Sequence, residues 1–202
     1  MVYYTDMEIF EAENAEKIIP PTFPEIAEEI LTMAEKDQAL REQIGPDNEM
    51  SEAQKIEWAI LHDEQTEKMR VLIRKIGWPT VSKIGKEASE AAWLIIQHAD
   101  HDVEFQKECL ALMEKESESE VSPVDVAFLH DRISVNEGRP QFFGTQMMKN
   151  EYDEYGPYPI ENIEQVDERR AQLGLGTLAE YKDEHAKKYA KGSETDPEDW
   201  DD

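Results

Sequence analysis

Two histidines in this chain directly follow its most apolar helical segment. His98 and His101 lie in the run Gln97-His98-Ala99-Asp100-His101-Asp102, just after the consecutive apolar residues 93–96. Residues three apart on a helix face the same way, and histidine is the side chain that ordinarily titrates nearest neutral pH. We therefore interpret His98 and His101 as candidate catalytic acids or bases. The alternative is a helix C-terminus, where imidazoles pair with the last free carbonyl groups.

A second pair of charges interrupts another apolar helical stretch. Asp131 and Arg132 are adjacent, so their side chains point about 100° apart on a helix and each needs its own partner. Asp131 could orient a catalytic histidine, and Arg132 could bind a carboxylate or phosphate of a substrate. The alternative is an interhelical salt bridge that holds this helix against the central one.

A glycine-bearing loop follows at residues 137–146, with two glycines, a proline and two glutamines around an aromatic pair. Such a loop lets the backbone approach a ligand closely. Gln141, Thr145 and Gln146 are therefore candidate substrate-binding residues, because amide and hydroxyl groups recognise polar ligands. Asp63 is a further candidate, although an exposed carboxylate is the commoner explanation on a long helix.

Metal-dependent chemistry is an open alternative, in which His98 and His101 act together with Asp63 or Asp131. A histidine pair three residues apart is less diagnostic than the His-Glu-x-x-His pattern of zinc proteases. No metal ligand is therefore assigned, and the cofactor is left unknown. The chain lacks the glycine patterns of phosphate-binding loops and dinucleotide sites. No serine or cysteine lies in the sequence context of a known nucleophile.

Composition limits the class of protein. The chain has 202 residues, of which 39% are hydrophobic and 34% charged, as expected for one compact domain with a charged surface. Its net charge of -26 repels phosphate backbones and anionic lipids, so we expect neither nucleic acid nor membrane as a partner. The only cysteine, Cys109, excludes an intrachain disulfide and is interpreted as a core residue.

The sequence suggests neither a secretory signal at the N-terminus nor a membrane span. The first residues lack the basic and apolar regions of a secretory signal, and no segment approaches the roughly 20 apolar residues of a membrane span. We therefore expect a cytoplasmic protein.

Apolar residues recur at helical spacing through most of the chain. The predicted helices run from Pro24 to Gly45, Ser51 to Gly77, Ala88 to Ala99, Val103 to Glu116, Ser122 to Gly138, Val166 to Leu173, and Thr177 to Ala190. We predict a mainly α fold, a single-domain, bundle-like array of about six to seven helices with a small β-hairpin near 141–160. Residues 1–19 are predicted to be an N-terminal acidic segment, 20–191 a single helical domain and 192–202 a disordered acidic tail.

The order of several motifs resembles a mostly bacterial family of uncharacterised domains. The motifs are Gly77-Trp78-Pro79, Glu90-Ala91-Ala92-Trp93, Gln97-His98-Ala99-Asp100, Asp131-Arg132, the loop from Gly138 to Gln146, the run from Val166 to Arg170, and Leu173-Gly174-Leu175. The resemblance extends from Asp63 to Tyr181 and implies no known activity. Phe143 stands where the family typically has a tyrosine, so the resemblance implies no role for a phenol there.

The leading hypothesis is a small-pocket enzyme with acid–base, hydrolase-like chemistry on a small polar molecule or peptide. His98 or His101 would transfer the proton, Asp131 would orient the histidine, and the substrate would bind through Arg132, Thr145 and Gln146. The rivals are a non-catalytic module that binds a peptide or metabolite, and the metal-dependent enzyme described above.

Overall fold

The structure is a computed structural model that describes residues 20–44, 50–149 and 155–190. The predicted N-terminal acidic segment and acidic tail lie outside these residues, as does most of the predicted hairpin turn. The described part of the chain is mainly helical, with one small antiparallel sheet, as the sequence predicts.

Eight α-helices occur in the described residues. They are α1 (Pro24–Ile44), α2 (Glu52–Ile76), α3 (Val81–Ile84), α4 (Lys86–Gln97), α5 (Val103–Met113), α6 (Pro123–Asn136), α7 (Val166–Gln172) and α8 (Leu178–Ala190), with a 3-10 turn at Ile163–Gln165 before α7. The one-turn helix α3 was not predicted. It is a short connection that ends at Gly85, whose φ of 85° favours glycine.

Local signals set most helix ends. Ser51 and Gln54 cap α2 reciprocally, each side chain accepting a hydrogen bond from the backbone N–H of the other. Gly77, with a φ of 71°, ends α2, and Ser122 caps α6, whose first residue is Pro123. Both predicted ends of α2 and the predicted start of α6 are therefore confirmed, whereas α6 ends at Asn136, before the predicted Gly138.

Helix α4 lies at the centre of the fold and contacts α1, α2, α3, α5 and α6. Ala88, Ala92, Ile95 and Ile96 form its buried face. The most extensive contact is with α1. The polar residues that follow α4 are therefore held at the end of a buried element.

The predicted hairpin is confirmed, although each strand has only three residues. Strand β1 (Met147–Lys149) pairs antiparallel with β2 (Tyr155–Pro157), and Gln141 forms an isolated bridge with Ile160. Among the described residues, no helix is both long and apolar enough to cross a membrane.

Candidate functional site

The turn between α4 and α5 separates the two candidate histidines. Helix α4 ends at Gln97, and the backbone N–H of Ala99 donates to Ile96, so the chain leaves the helical path at His98. The prediction that His98 and His101 share one helix face is therefore wrong. The helix stops before the second histidine, and each polar side chain of the turn faces a different neighbour.

His98 packs against α1 and α2, where it meets a buried aspartate and a second histidine. Asp37 Oδ2 lies 3.4 Å from His98 Nδ1, and Asp37 Oδ1 lies 2.8 Å from His62 Nε2. The two imidazole rings are nearly parallel, with centroids 5.9 Å apart. One carboxylate therefore contacts both histidines.

Arg41 completes this group, which we call the Asp37–His98 cluster (Asp37, Arg41, His62 and His98). Its Nε donates to Asp37 Oδ2 at 2.9 Å, and its Nη2 lies 2.9 Å from His98 Nδ1 and 2.7 Å from Nε2. The guanidinium carbon also lies 4.9 Å from the ring centroid of Trp58, a cation–π contact. The positive charge of Arg41 balances the negative charge of Asp37.

The cluster shifts the ionisation of its members. Burial opposes the charge of Asp37, but hydrogen bonds with His62 and His98 outweigh it, so the pKa of Asp37 lies far below its usual range. Burial is the largest influence on His98 and lowers its pKa to about 4; Arg41 also lowers it, and Asp37 opposes the change. At neutral pH the cluster thus contains an ionised aspartate and a neutral His98.

The members of the cluster differ in their exposure to solvent. Asp37 and His62 are almost fully buried, whereas the side chains of His98 and Arg41 are 14% and 33% exposed. Arg41 is therefore the most accessible member of the cluster, and His98 is the more exposed of the two histidines. This arrangement suits a buried orienting group behind a partly accessible imidazole.

The sequence analysis did not select Asp37, Arg41 or His62. A signal was present, because Asp37 continues the buried face of α1 that carries Ile30 and Met33. A carboxylate at a core position is rarely tolerated without a partner. The same reasoning applied to α2 would have favoured His62 over its exposed neighbour Asp63.

His101 and Asp63 lie together outside the cluster. His101 Nε2 is 3.2 Å from Asp63 Oδ1, and the two side chains are 39% and 70% exposed. The structure thus pairs two predicted site residues on the surface. An exposed pair of this kind contributes little to stability and leaves both side chains hydrated.

Arg132 pairs with Asp100, which lies in the same turn as His98. Its Nε and Nη2 donate to the two Asp100 oxygens at 2.8 and 2.5 Å, and its Nη1 donates to Gln146 Oε1 at 3.1 Å. Burial opposes the charge of Asp100, but Arg132 and Asn136 outweigh it and lower the pKa of Asp100. The salt-bridge interpretation of Arg132 therefore fits the geometry, since the pair joins α6 to the end of α4.

Asp131 organises the glycine-bearing loop. It is completely buried and accepts hydrogen bonds from the backbone N–H groups of Phe142, Phe143 and Thr145, and from the Thr145 hydroxyl. Burial opposes its charge, but His130 and these N–H groups outweigh it and lower the pKa of Asp131. The prediction that Asp131 orients His98 or His101 is wrong, because its oxygens face the loop.

The same loop is held from its carbonyl side. Arg169 donates to the carbonyl of Phe142 at 2.8 Å, and Arg170 donates to that of Phe143 at 3.0 Å. Gln141 is buried, accepts from the N–H of Gln146 at 2.8 Å and donates to its carbonyl at 2.9 Å. Because carboxylate, guanidinium and amide groups satisfy the loop backbone, residues 141–146 are rigidly positioned.

The predicted site residues thus fall into three places. Asp131, Arg132, Gln141, Thr145 and Gln146 form one network, since Gln146 Nε2 donates to Thr145 Oγ1 at 3.1 Å and Thr145 Oγ1 donates to Asp131. His98 belongs to the Asp37–His98 cluster, and His101 pairs with Asp63 on the surface. Asp100 and His98 are two residues apart, so the turn links the cluster to the network.

One group of residues could hold a metal ion. Within the described ranges, donor atoms of Asp37, His62 and His98 lie within 4.8 Å of one another. Two imidazoles and a carboxylate suit zinc or a similar transition metal. Arg41 opposes this use, because its guanidinium already contacts both His98 and Asp37. The group sought in the sequence, with His98 and His101 as the ligand pair, does not form in the described residues.

Comparison with known proteins gives one result. No curated protein and no solved structure matches the chain. A family model described as "Family of unknown function (DUF6624)" matches residues 24–191, which include every residue of the cluster and the network. Because the match covers more than half of the sequence, the chain belongs to this family of unknown function.

Proposed function

We propose that the protein is an acid–base enzyme, hydrolase-like in character, that acts on a small polar molecule or peptide at the Asp37–His98 cluster. The observation that carries the proposal is the buried Asp37 carboxylate, which contacts two histidines, of which His98 is the more exposed. A carboxylate behind an imidazole is the common way to orient a histidine and to stabilise its protonated form.

His98 would serve as the general base through Nε2. With Nδ1 turned toward Asp37, the lone pair of Nε2 points away from the carboxylate and can accept a proton from a substrate or a water molecule. The low pKa keeps this imidazole neutral at pH 7, the form a base requires. When the proton arrives, the negative charge of Asp37 stabilises the imidazolium ion that forms.

Arg41 would bind the substrate. In the structure its Nη2 covers Nε2 of His98 at 2.7 Å, so a substrate must displace that contact before His98 can act. An anionic or strongly polar group is suited to this, because it offers the guanidinium a better acceptor than a neutral imidazole. Displacement would also move the positive charge of Arg41 away from His98, which would raise the pKa of the imidazole.

The network would position the turn that carries His98, because Arg132 donates to Asp100 in that turn. Arg132 is partly accessible and remains a candidate for substrate contact, as the sequence suggests, whereas Gln146 is almost fully buried and would act by holding Arg132. We also propose that the protein is cytoplasmic and binds neither nucleic acid nor membranes, because its net charge of -26 repels both. The motifs from Gln97 to Gln146 would be shared across a mostly bacterial family.

The test compares His98→Gln with the matched control His101→Gln, which changes the same residue type in the same turn. Purified proteins are assayed on panels of chromogenic esters, phosphate monoesters and aminoacyl anilides. We expect turnover of at least one class, a loss of about 100-fold or more in kcat/KM for His98→Gln, and retention by His101→Gln. Equal activity of wild type and His98→Gln on that substrate would refute the proposal.

A binding module is the outcome if compounds bind and none is converted. In that case Asp37→Asn and His98→Gln would weaken binding to a similar extent. In an enzyme, Asp37→Asn would instead lower kcat more than affinity, because the carboxylate acts when the imidazole becomes charged.

A metal-dependent enzyme is the second candidate, favoured by the close donor atoms of Asp37, His62 and His98. Metal analysis of the purified protein and calorimetric titration with Zn, Mn, Fe and Ni test it. Binding that is lost in His62→Gln and kept in His101→Gln would support a metal centre. Absence of bound metal and of any stabilisation by these ions would exclude it.

A further inference from the structure

A second candidate site lies near the first turns of α4, away from the end that carries His98, in a cavity of about 270 Å³. The cavity is bounded by the first turns of α4 and α6 and by the loop that joins α5 to α6. Its apolar walls are formed by Trp78, Val81, Trp93, Met113 and Val121. We call it the tryptophan cavity. None of its lining residues belongs to the Asp37–His98 cluster.

The polar part of the lining is strongly negative. It carries four carboxylates, Glu90, Glu118, Glu120 and Asp125, and one ammonium group, Lys86. Lys86 Nζ lies 3.5 Å from Glu90, and Glu120 accepts a hydrogen bond from the backbone N–H of Ser82 at 2.9 Å. These two carboxylates therefore have partners within the protein.

Asp125 differs from them. Among the described residues, no hydrogen-bond donor and no cation contacts its carboxylate. Burial, together with the nearby charge of Glu90, raises the pKa of Asp125 to about 6. A desolvated carboxylate without a partner is costly, and a bound cation would remove that cost.

Trp93 connects the charge to an aromatic surface. Its Nε1 donates to the backbone carbonyl of Asp125 at 3.1 Å, which holds the indole beside the first turn of α6. A cation near Asp125 thus lies near the ring of Trp93, and indole is the aromatic group that attracts cations most strongly. The Asp125 carboxylate and the Trp93 ring would thus both attract a ligand that is positively charged.

The size and the walls of the cavity specify the kind of cation. A water molecule occupies about 30 Å³ in the liquid, so the cavity is much larger than a bare ion needs. Its apolar walls offer no ligands to replace the water molecules that an inorganic cation would lose on entry. An ammonium group on a short alkyl chain suits both the charged and the apolar part of the lining. Its charge would lie at Asp125, and its methylene groups would lie along the tryptophan and methionine side chains.

We propose that the tryptophan cavity binds an alkylammonium group, supplied by a lysine side chain of a peptide or by a small amine. The site is independent of the proposed catalytic cluster. The cavity would recognise a basic ligand and would take no part in proton transfer. The general negative charge of the chain would increase the rate at which such a ligand arrives.

Calorimetric titration tests the proposal with three probes: N-acetyl-lysine-N-methylamide, its neutral norleucine analogue and 1,4-butanediamine. We expect the lysine probe or the diamine to bind at least about tenfold more tightly than the norleucine analogue. Preference for the lysine probe identifies a peptide side chain as the source, and preference for the diamine identifies a small amine. Equal affinity for charged and neutral probes, or no binding of any probe, overturns the proposal.

Variants then locate the binding. Asp125→Asn should reduce affinity about tenfold or more, whereas Asp183→Asn, which removes the same charge from an exposed position of α8, should leave it unchanged. Trp93→Phe keeps an aromatic ring and should weaken binding less than Trp93→Leu. Thermal unfolding shows that each variant is folded. Equal effects of Asp125→Asn and Asp183→Asn would assign the binding to general charge and overturn the proposed site.

Discussion

Acid should destabilise the protein through His98, and replacement of this one residue should remove the effect. The pKa of His98 in the folded state is about 4, chiefly because the imidazole is buried, with a further contribution from Arg41. In the unfolded chain the pKa returns to its ordinary value of about 6.5. As pH falls below about 6.5, the unfolded state takes up a proton that the folded state does not accept. The free energy of unfolding should therefore decrease from there until about pH 4.

The expected size follows from the difference in pKa. A lowering from the ordinary 6.5 to about 4 corresponds to a full loss of about 3 kcal/mol below pH 4, and to about 2.5 kcal/mol at pH 4.5. Asp37 does not contribute in this range. Its lowered pKa stabilises the fold at every pH above the unfolded value of about 3.9, and that contribution is lost only as pH falls further.

The assay is urea unfolding between pH 4.5 and pH 7.5 for wild type, His98→Gln and His101→Gln. His98→Gln should be less stable than wild type at pH 7.5, because contacts with Asp37 and Arg41 are lost. Its stability should fall less on acidification, by about 2.5 kcal/mol. His101→Gln should follow the wild-type profile. Parallel profiles of wild type and His98→Gln, within about 0.5 kcal/mol, would show that His98 is not a buried neutral imidazole.

Three further predictions concern the loop and the core. Asp131→Ala removes the acceptor of four hydrogen-bond donors and should lower the free energy of urea unfolding by about 3–5 kcal/mol, whereas Asp131→Asn should lower it by about 1–3 kcal/mol; equal losses would contradict this account. Gly144→Ala places a Cβ 2.9 Å from Leu178 and should destabilise more than Gly174→Ala, which has a similar positive φ and open space. Burial raises the pKa of Cys109 to about 12, so a disulfide reagent should modify it only as fast as the protein unfolds.

Both ends of α2, the start of α6 and the place of the hairpin could be predicted from sequence, because local chemistry determines them. The Ser51–Gln54 box and the Ser122-Pro123 start satisfy free N–H groups within one turn of the chain. Gly77 adopts a positive φ without steric strain, so it ends α2 wherever the helix packs. The apolar run of α4 likewise required a central position, whichever helices came to surround it.

The partners of the polar residues were decided only by the tertiary structure. His98 and His101 are the same residue type three positions apart, and the end of α4 between them sends one to a buried aspartate and the other to the surface. From the sequence alone, Asp131 could accept hydrogen bonds from a histidine or from a loop. It accepts them from the loop because α6 carries it to the N–H groups of Phe142, Phe143 and Thr145.

A residue's type and spacing thus determined which side chains of this protein could do chemistry. Which of them meet depended on how α1 and α2 pack against α4, and that packing is set by the shape of the whole apolar core. Asp37 shows the difference most directly, since its position on the buried face of α1 is readable from the sequence. Its contacts with His62 and His98, 25 and 61 positions further along the chain, exist only in the folded protein.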